Sequence, residues 1–332
     1  MGIMNYKRLA KYFAVLITVV LLALLFTQIS LGDVITTLKN IDPMYLIAGF
    51  VLYTTNYVFR SWRFHVLLNK EVGIKDLFHI ECIHNMMNNL LPARTGELSY
   101  VYLLKTEQKK TTGEGLATLV IARIFDFIII SIFFLFFFLF TKNLLTDFLI
   151  LIKLGILFLF IMIIFLFGLL FYGNDILKLF NNVAHYMNFE KFHLGDYITK
   201  KSEETIECFE KFKTGNISTH IAVIALSVGI WVLSYSLSYI IAISMGIELE
   251  PVQILFASSF AVFSTVLPIQ GIGGFGTMEG GWALGFIAVG VPSEIAVKTG
   301  FGFHLIVLLY TISLGIYGYV NIYYFKKRKV AH

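Results

Sequence analysis

The chain has 332 residues, of which 58% are hydrophobic and only 14% are charged, and its formal net charge is +5. Soluble globular domains carry charge on about a quarter of their residues, so this composition excludes them and indicates an integral membrane protein. The 33 phenylalanines and 17 tyrosines suit lipid-facing helices and interfacial belts, and we therefore expect no nucleic-acid partner.

Apolar runs long enough to cross a bilayer recur along the chain, at about 20 residues per crossing. Lysine and arginine mark the cytoplasmic flanks of such runs, and basic residues precede the first run and follow the last one. We therefore predict a multi-pass protein of the cell membrane with both termini in the cytoplasm. The six predicted spans cover residues 12–30, 44–59, 116–140, 148–171, 217–245 and 299–325.

A segment between the second and third spans, 77–104, is apolar enough to enter the bilayer but is interrupted by polar residues around Pro92. We call it the first broken segment. Basic residues flank it on both sides, so both of its ends are predicted in the cytoplasm, which favours a re-entrant hairpin. Irregular backbone at membrane depth is tolerated only where protein buries it or water fills a cavity.

A second broken segment, 252–291, lies between the fifth and sixth spans and contains Pro268 followed by a cluster of glycines. Its flanks are acidic or mixed, which predicts a hairpin that enters from the outside. The longest polar stretch, 173–215, is predicted to be a cytoplasmic loop with a helix lying on the membrane face.

The two broken segments lie about half the chain apart, and such a pair is the sequence signature of an inverted-repeat transporter with a substrate site between its halves. The predicted fold is therefore all-α, a single transmembrane domain over 1–332 with repeats of about 1–145 and 146–332. Each repeat has three spans and one re-entrant hairpin. If each hairpin is instead a pair of full crossings, the chain has eight to ten spans.

The first broken segment supplies the leading candidates for substrate binding, because a charge within the bilayer costs about 2.5–3.5 kcal/mol and is retained mainly where it works. Arg94 suits an anionic head group, since a planar guanidinium matches phosphate. Glu97 would orient that arginine, accept a substrate ammonium or carry a coupling proton. Alternatively these two residues, at i and i+3, form a purely structural pair. Asn89 and Gly96 complete the group.

The second broken segment supplies glycines, which let a substrate or a helix approach the backbone closely and leave free amides for an anion at a helix start. The alternative is helix packing, for which Gly281 and Gly285 have the small-xxx-small spacing. The substrate-binding candidates of this segment are Gly273, Gly274, Gly276 and Glu279.

Further charged residues fall inside or beside the spans. Arg123 and Asp126 lie at i and i+3 on one face of the third span, where they are predicted to form a buried structural ion pair or to line a polar cavity. Arg60 and Arg63 are predicted at the cytoplasmic interface, as topology anchors or as contacts to anionic lipid heads. His304, in the sixth span, is expected to be a core histidine.

No metal, cofactor or catalytic site is predicted. His79 and His84 are five positions apart rather than at the i, i+4 spacing that places two metal ligands on one helical face. No Ser/His/Asp order, P-loop or kinase signature occurs, so an enzymatic role is disfavoured although it stays open.

Four motifs stand out along the chain: Arg60-x-x-Arg63, Asn89-Leu90-Leu91-Pro92-x-Arg94-x-Gly96-Glu97, Arg123-x-x-Asp126 and Gly273-Gly274-x-Gly276-x-x-Glu279. They resemble the transmembrane region of lysylphosphatidylglycerol synthase, a flippase-like membrane domain that also occurs alone in many prokaryotic proteins. The resemblance covers nearly the whole chain and implies a protein that moves lipids between leaflets. The full synthase continues into an aminoacyl transferase domain. This sequence stops at His332, so we expect no lipid aminoacylation by this polypeptide alone.

We therefore expect a membrane translocator of an amphiphile with an anionic head, such as a phospholipid or a polyprenyl-phosphate-linked sugar, with membrane lipids as its partners. One alternative is a membrane-embedded transferase acting on a lipid-linked substrate, with Glu97 as general base. Another is an ion-coupled transporter of a small solute. The sequence sets no oligomeric state.

Overall fold

The computed structural model describes residues 31–91, 95–142, 144–150, 152–157, 159–165, 168, 172, 207–266 and 272–325. All regular elements within these ranges are helical, which confirms the predicted all-α class. Several predicted features lie outside the described residues: the first span, the tip at 92–94, most of the 173–215 loop, the stretch 267–271 and the basic tail from 326 onward.

The helices of the first half begin at recognisable caps. Asp42 accepts the Met44 N–H at 2.8 Å, and Pro43 takes the first helical position, where no donor is needed. Thr111 and Glu114 form a reciprocal capping box further along the chain. In chain order the helices are α1 (Leu31–Lys39), α2 (Pro43–Leu67), α3 (Ile74–Leu90), α4 (Glu97–Gln108) and α5 (Thr112–Phe140).

The second half contributes four helices to the packing described below, and the described residues 152–157 and 159–165 of the predicted fourth span are also helical. The four helices are α6 (Ile217–Ser244), α7 (Pro251–Val266), α8 (Thr277–Ala288) and α9 (Ser293–Val320), with a 3-10 turn at Ile272–Gly274 and a π-helical end at Asn321–Phe325. Among the described residues, α5, α6 and α9 with its π-helical extension are long and apolar enough to cross a membrane. The protein is an integral membrane protein with several apolar helices.

α2 continues well past the predicted end of the second span at Phe59 and reaches Leu67. Arg60 and Arg63 were predicted to mark its interfacial end, but both lie inside the helix. Residues 60–67 include no glycine or proline that would end the helix there, and a buried carboxylate described below compensates the charge of Arg63.

The helices of the two halves correspond in order and in length. α2 and α6 have 25 and 28 residues, and α3 and α7 have 17 and 16. α4 and α8 have 12 residues each, and α5 and α9 have 29 and 28.

The packing of these helices is reciprocal. α2 packs against α6, its counterpart in the other half, and α3 packs on α9 just as α7 packs on α5. Within each half, α3 contacts α4 and α4 contacts α5, as α7 contacts α8 and α8 contacts α9. The 3-10 turn at Ile272–Gly274 also touches α3, so the two broken segments meet.

Aromatic stacking fixes α8 against α9 inside the apolar core. The ring of Trp282 is fully buried and lies between Phe286 and Phe303, with centroid distances of 4.5 and 4.3 Å. Offset aromatic contacts at this range add to the stabilisation that burial of apolar area provides.

The close approach of α8 to α7 depends on Gly285, where an added Cβ would lie 2.0 Å from the carbonyl oxygen of Ala257. Gly280 in the same helix has nothing within 4 Å of its Cβ position. We expect Gly285→Ala to lower the thermal-unfolding midpoint in detergent, because overpacking costs about 1–3 kcal/mol. The control Gly280→Ala should leave the midpoint unchanged or raise it slightly, since alanine favours helix. Equal midpoints would contradict this packing.

Candidate functional site

Asp126 of α5 is fully buried and joins three helices through its carboxylate. Arg63 of α2, whose side chain is 1% exposed, donates Nη1 to Oδ1 at 2.6 Å and Nη2 to Oδ2 at 3.2 Å. Two parallel bonds of this kind fix the guanidinium in the plane of the carboxylate. The indole Nε1 of Trp231, in α6, donates to Oδ1 at 2.9 Å. We call this arrangement the Asp126 centre.

The predicted interfacial lipid contact of Arg63 is therefore wrong. Its side chain is turned into the protein, where Nη1 also donates to Oγ of Ser227 at 3.0 Å. Sequence spacing gave no sign of this position, because the compensating carboxylate lies in another helix. A buried arginine is tolerated only with such a partner.

Glu97, the first residue of α4, forms an ion pair with Arg123 of α5, with Oε1 3.1 Å from Nη2. Arg123 also lies beside Asp126, at 3.6 Å between Nη1 and Oδ2. The Arg123–Asp126 pair suggested by the i, i+3 spacing is thus present. It is a longer contact than the bond from Arg63 to the same carboxylate. Arg94, the other predicted partner of Glu97, lies outside the described residues.

The second broken segment contains a comparable contact. Glu279, in the first turn of α8, accepts the Gly276 N–H through Oε2 at 2.8 Å. Its Oε1 lies 2.8 Å from Nδ1 of His304 in α9, and both side chains are buried. His304 is thus a core histidine whose partner is a carboxylate. Glu279 caps α8 and at the same time holds it to α9.

These two contacts, Glu97–Arg123 and Glu279–His304, join equivalent helices of the two halves. In each, a glutamate in the first turn of a 12-residue helix bonds to a basic side chain on the long helix that follows. We call them the two clamps.

The glycines at the tips shape the backbone. Gly273, Gly274 and Gly276 have φ values of 66°, 73° and 81°, in the left-handed region that glycine adopts at little cost. Gly96 has an ordinary helical φ of −61°. Glycine is required at this position because a Cβ added there would lie 2.3 Å from the backbone nitrogen of Asn88.

A partly open cavity of about 130 Å³ lies between the halves. One water occupies about 10–15 Å³ of such a volume, so the cavity has room for several waters or a small polar group. Its polar wall includes Asn56, Arg60, Asn85, Asn88, Asn89 and Arg123, and its apolar wall includes Leu237, Val262, Phe303 and Val307.

Arg60 is the cavity arginine whose charge is least compensated. Its Nε donates to Oδ1 of Asn56 at 2.7 Å, and its guanidinium lies 6.0 Å from the ring centroid of Trp231. In the part of the chain that the structure describes, no carboxylate oxygen lies within 4 Å of it, in contrast to Arg63 and Arg123. The arrangement would present a positive charge to an anion that enters the cavity.

Asparagines of α3 form much of the polar wall. Asn88 is 7% exposed, and its Oδ1 has no hydrogen-bond partner among the residues that the structure describes. Asn85 donates Nδ2 to Oε1 of the buried Glu81 at 2.8 Å. Sequence reasoning did not select Asn85 or Asn88 as site residues. Their i, i+3, i+4 spacing with Asn89, which puts all three on one helical face, was the signal that could have found them.

The structure brings only some of the predicted site residues together in the cavity. Asn89, Arg60 and Arg123 line it. Glu97 and Glu279 are engaged in the two clamps. Among the described residues, no group of three or more histidines, cysteines and carboxylates is placed to hold a metal ion.

Several curated proteins are similar to this chain. The UPF0104 membrane protein MJ1595 of Methanocaldococcus jannaschii is 25% identical over 312 residues, which cover 88% of this chain and 89% of that protein. The UPF0104 membrane protein MJ1078 of the same organism is 28% identical over 196 residues, 58% of this chain and 75% of that protein. Glycosyltransferase AglD of Haloferax volcanii is 29% identical over 129 residues, 38% of this chain and only 20% of that protein. No solved structure matches.

The family model described as "Lysylphosphatidylglycerol synthase TM region" matches residues 12–315. This range contains the Asp126 centre, both clamps and the whole lining of the cavity. The chain therefore belongs to the family of the lysylphosphatidylglycerol synthase transmembrane region, as its four motifs predicted.

Proposed function

We propose that the protein is a translocator in the cell membrane that moves a lipid with an anionic head group between the leaflets. The observation that carries this proposal is the cavity with two unlike walls. Arg60, Arg123 and the asparagines would receive the head group, and Leu237, Phe303 and Val307 would contact its apolar part. A small soluble solute does not require an apolar wall of this kind.

The reciprocal packing of the two halves supports an inverted repeat as the basis of transport. α4 and α8, with 12 residues each, are about 18 Å long, too short to cross a hydrocarbon core of about 30 Å. This length favours re-entrant hairpins over full crossings. In such folds the substrate site lies between the repeats and is exposed first to one side and then to the other as they rock.

A charge-removing variant tests the proposal. We expect Arg60→Gln to slow the exchange of fluorescent phosphatidylglycerol between leaflets of reconstituted vesicles by at least about tenfold. A lost charge-assisted hydrogen bond costs about 1.5–3 kcal/mol, and 1.4 kcal/mol is a factor of ten. The exchange rate of Arg60→Lys should lie between those of the wild-type protein and Arg60→Gln, because lysine keeps the charge but lacks the planar guanidinium.

The control for this experiment is Lys75→Gln, which removes a basic residue from the exposed face of α3 and should leave exchange at the wild-type rate. Each variant is first checked for a monodisperse profile in detergent. The proposal would be overturned if vesicles with wild-type protein exchanged lipid no faster than protein-free vesicles. A wild-type rate in Arg60→Gln would overturn it as well.

A membrane-embedded transferase is the second candidate, because one relative is named a glycosyltransferase. In that case Glu97 would be the general base, but its carboxylate already pairs with Arg123. Turnover of a polyprenyl-phosphate-linked sugar donor by the purified protein would favour the transferase.

A further inference from the structure

We infer that Glu81 is a proton-binding site whose protonation is linked to the binding of an anion in the cavity, so that the protein takes up a proton as the anion enters. This inference rests on the proposed translocator function and adds an ion to which that function is coupled. It is carried by a buried carboxyl oxygen that lies beside a small void lined by the arginines of the cavity.

The carboxyl group of Glu81, in α3, is buried but not paired. The residue is 1% exposed, and Oε1 accepts a hydrogen bond from Nδ2 of Asn85 at 2.8 Å. Among the residues that the structure describes, Oε2 has no hydrogen-bond partner and no arginine or lysine nitrogen lies within 4 Å of the carboxyl group. Asp126 and Glu97, by contrast, each bond to an arginine. Burial disfavours the charge of a carboxylate with so few donors, so Oε2 is suited to bind a proton.

A void of about 10 Å³ lies beside this carboxyl group, about the size of one water. Charged side chains of two other helices line it, Arg60 and Arg63 from α2 and Arg123 and Asp126 from α5. Arg60 and Arg123 line the large cavity as well. The same two arginines therefore border both the void of Glu81 and the site proposed for the anion.

The charges of this group link the proton to the anion. Three arginines line the void, and two carboxylates bond to two of them: Arg60, Arg63, Arg123, Asp126 and Glu97. Ionised Glu81 would make this group neutral and would attract Arg60, so an entering anion would meet no net positive charge. Protonated Glu81 leaves one positive charge for the anion. Protonation thus strengthens anion binding, and the bound anion strengthens proton binding by the same factor.

Other titratable groups also face α3 or belong to it. They are Tyr57 of α2, Tyr100 of α4, Tyr317 of α9, and Cys82, His79 and His84 of α3 itself. Tyrosine and cysteine side chains titrate above neutral pH, and the ring of His79 packs on Tyr317, with centroids 5.7 Å apart. His84 lines the same void as Glu81, and a histidine titrates near neutral pH. A test of Glu81 therefore has to include His84.

The test measures exchange of fluorescent phosphatidylglycerol in reconstituted vesicles at about pH 5.5 and about pH 8, the range in which a histidine also titrates. The pH is equal on both sides, and the phosphate diester keeps its single negative charge. We expect wild-type exchange to be at least about fivefold slower at the higher pH, the lower end of a typical coupling between two sites. Glu81→Gln keeps an acceptor for Asn85 and resembles the protonated acid, so it should exchange fast at both pH values. Misfolding would not produce a rate above wild type at the higher pH.

Two variants serve as controls. Glu248→Gln removes an exposed carboxylate between α6 and α7 and should keep the wild-type pH dependence. His84→Gln should keep it as well. Loss of the pH dependence in His84→Gln, with Glu81→Gln still like wild type, would assign the proton to the histidine and overturn the inference.

A second measurement needs no variant. Dihexanoyl phosphatidylglycerol is added to wild-type protein in weakly buffered detergent solution, at the midpoint of the wild-type pH profile, and an indicator dye follows the pH. We expect the pH to rise as the protein takes up protons, because the bound anion favours protonated Glu81. An unchanged pH would contradict the linkage.

The outcomes separate this inference from the proposed function. Wild-type exchange that is equally fast at both pH values, or a Glu81→Gln profile equal to that of wild type, would overturn the inference and leave the translocator standing. Exchange no faster than in protein-free vesicles at both pH values would overturn the function itself.

Discussion

Replacing Asp126 by alanine is expected to lower the free energy of unfolding by about 3–5 kcal/mol, the cost of leaving a buried charge without its partner. Arg63 would keep its charge in a site that is 1% exposed and would lose two hydrogen bonds. The indole N–H of Trp231 would lose its acceptor as well. Denaturant or thermal unfolding in detergent measures the effect.

Ser131→Ala is the matched control, because Ser131 lies in the same helix and is almost as buried. Its hydroxyl donates to the carbonyl oxygen of Phe127 in the same helix, at 2.7 Å. Loss of this local bond should cost about 1 kcal/mol. If Asp126→Ala and Ser131→Ala destabilise the protein equally, the Asp126 centre does not hold α2, α5 and α6 together as described.

The second large effect is expected at the Glu279–His304 clamp. Glu279→Leu would remove the acceptor of the Gly276 N–H and leave His304 buried without its partner, at a cost of about 3 kcal/mol. The double variant Glu279→Leu/His304→Leu should be more stable than this single one, because replacing both members of a buried pair with apolar groups is often neutral.

A double-mutant cycle on unfolding midpoints measures this coupling. We expect an interaction term of about 1–3 kcal/mol between the two sites, within the range for residues in direct contact. Strictly additive effects of Glu279→Leu and His304→Leu would show that the two side chains do not interact, and the clamp would have to be abandoned.

Local patterns in the sequence were sufficient to predict the helical class, the positions of most described helices and the two interruptions. Apolar runs of fixed length and glycine clusters are local signals, and the left-handed Gly273, Gly274 and Gly276 lie where the second interruption was expected. The repeat predicted from the spacing of the interruptions stays a proposal, and the similar lengths of corresponding helices support it.

The partners of the charged residues could not be predicted, because they depend on tertiary contacts. The i, i+3 spacing suggested Arg94 as the ion-pair partner of Glu97 and Arg123 as the partner of Asp126. The structure pairs Glu97 with Arg123 and gives Asp126 its shortest bond from Arg63, in a different helix. The same long-range compensation explains why α2 can bury Arg63, which, read locally, marked the end of a span together with Arg60.

The two clamps have a mechanical consequence. Each ties a short helix to its long successor, α4 to α5 and α8 to α9, so a short helix that moves either carries the long helix with it or breaks this side-chain contact. If the halves rock as proposed, we expect whole multi-helix blocks rather than flaps to tilt, with the hinge along the seam between α2 and α6. Asn56 donates to Ser234 across that seam at 3.0 Å, so we expect a covalent cross-link at this point to stop the proposed cycle.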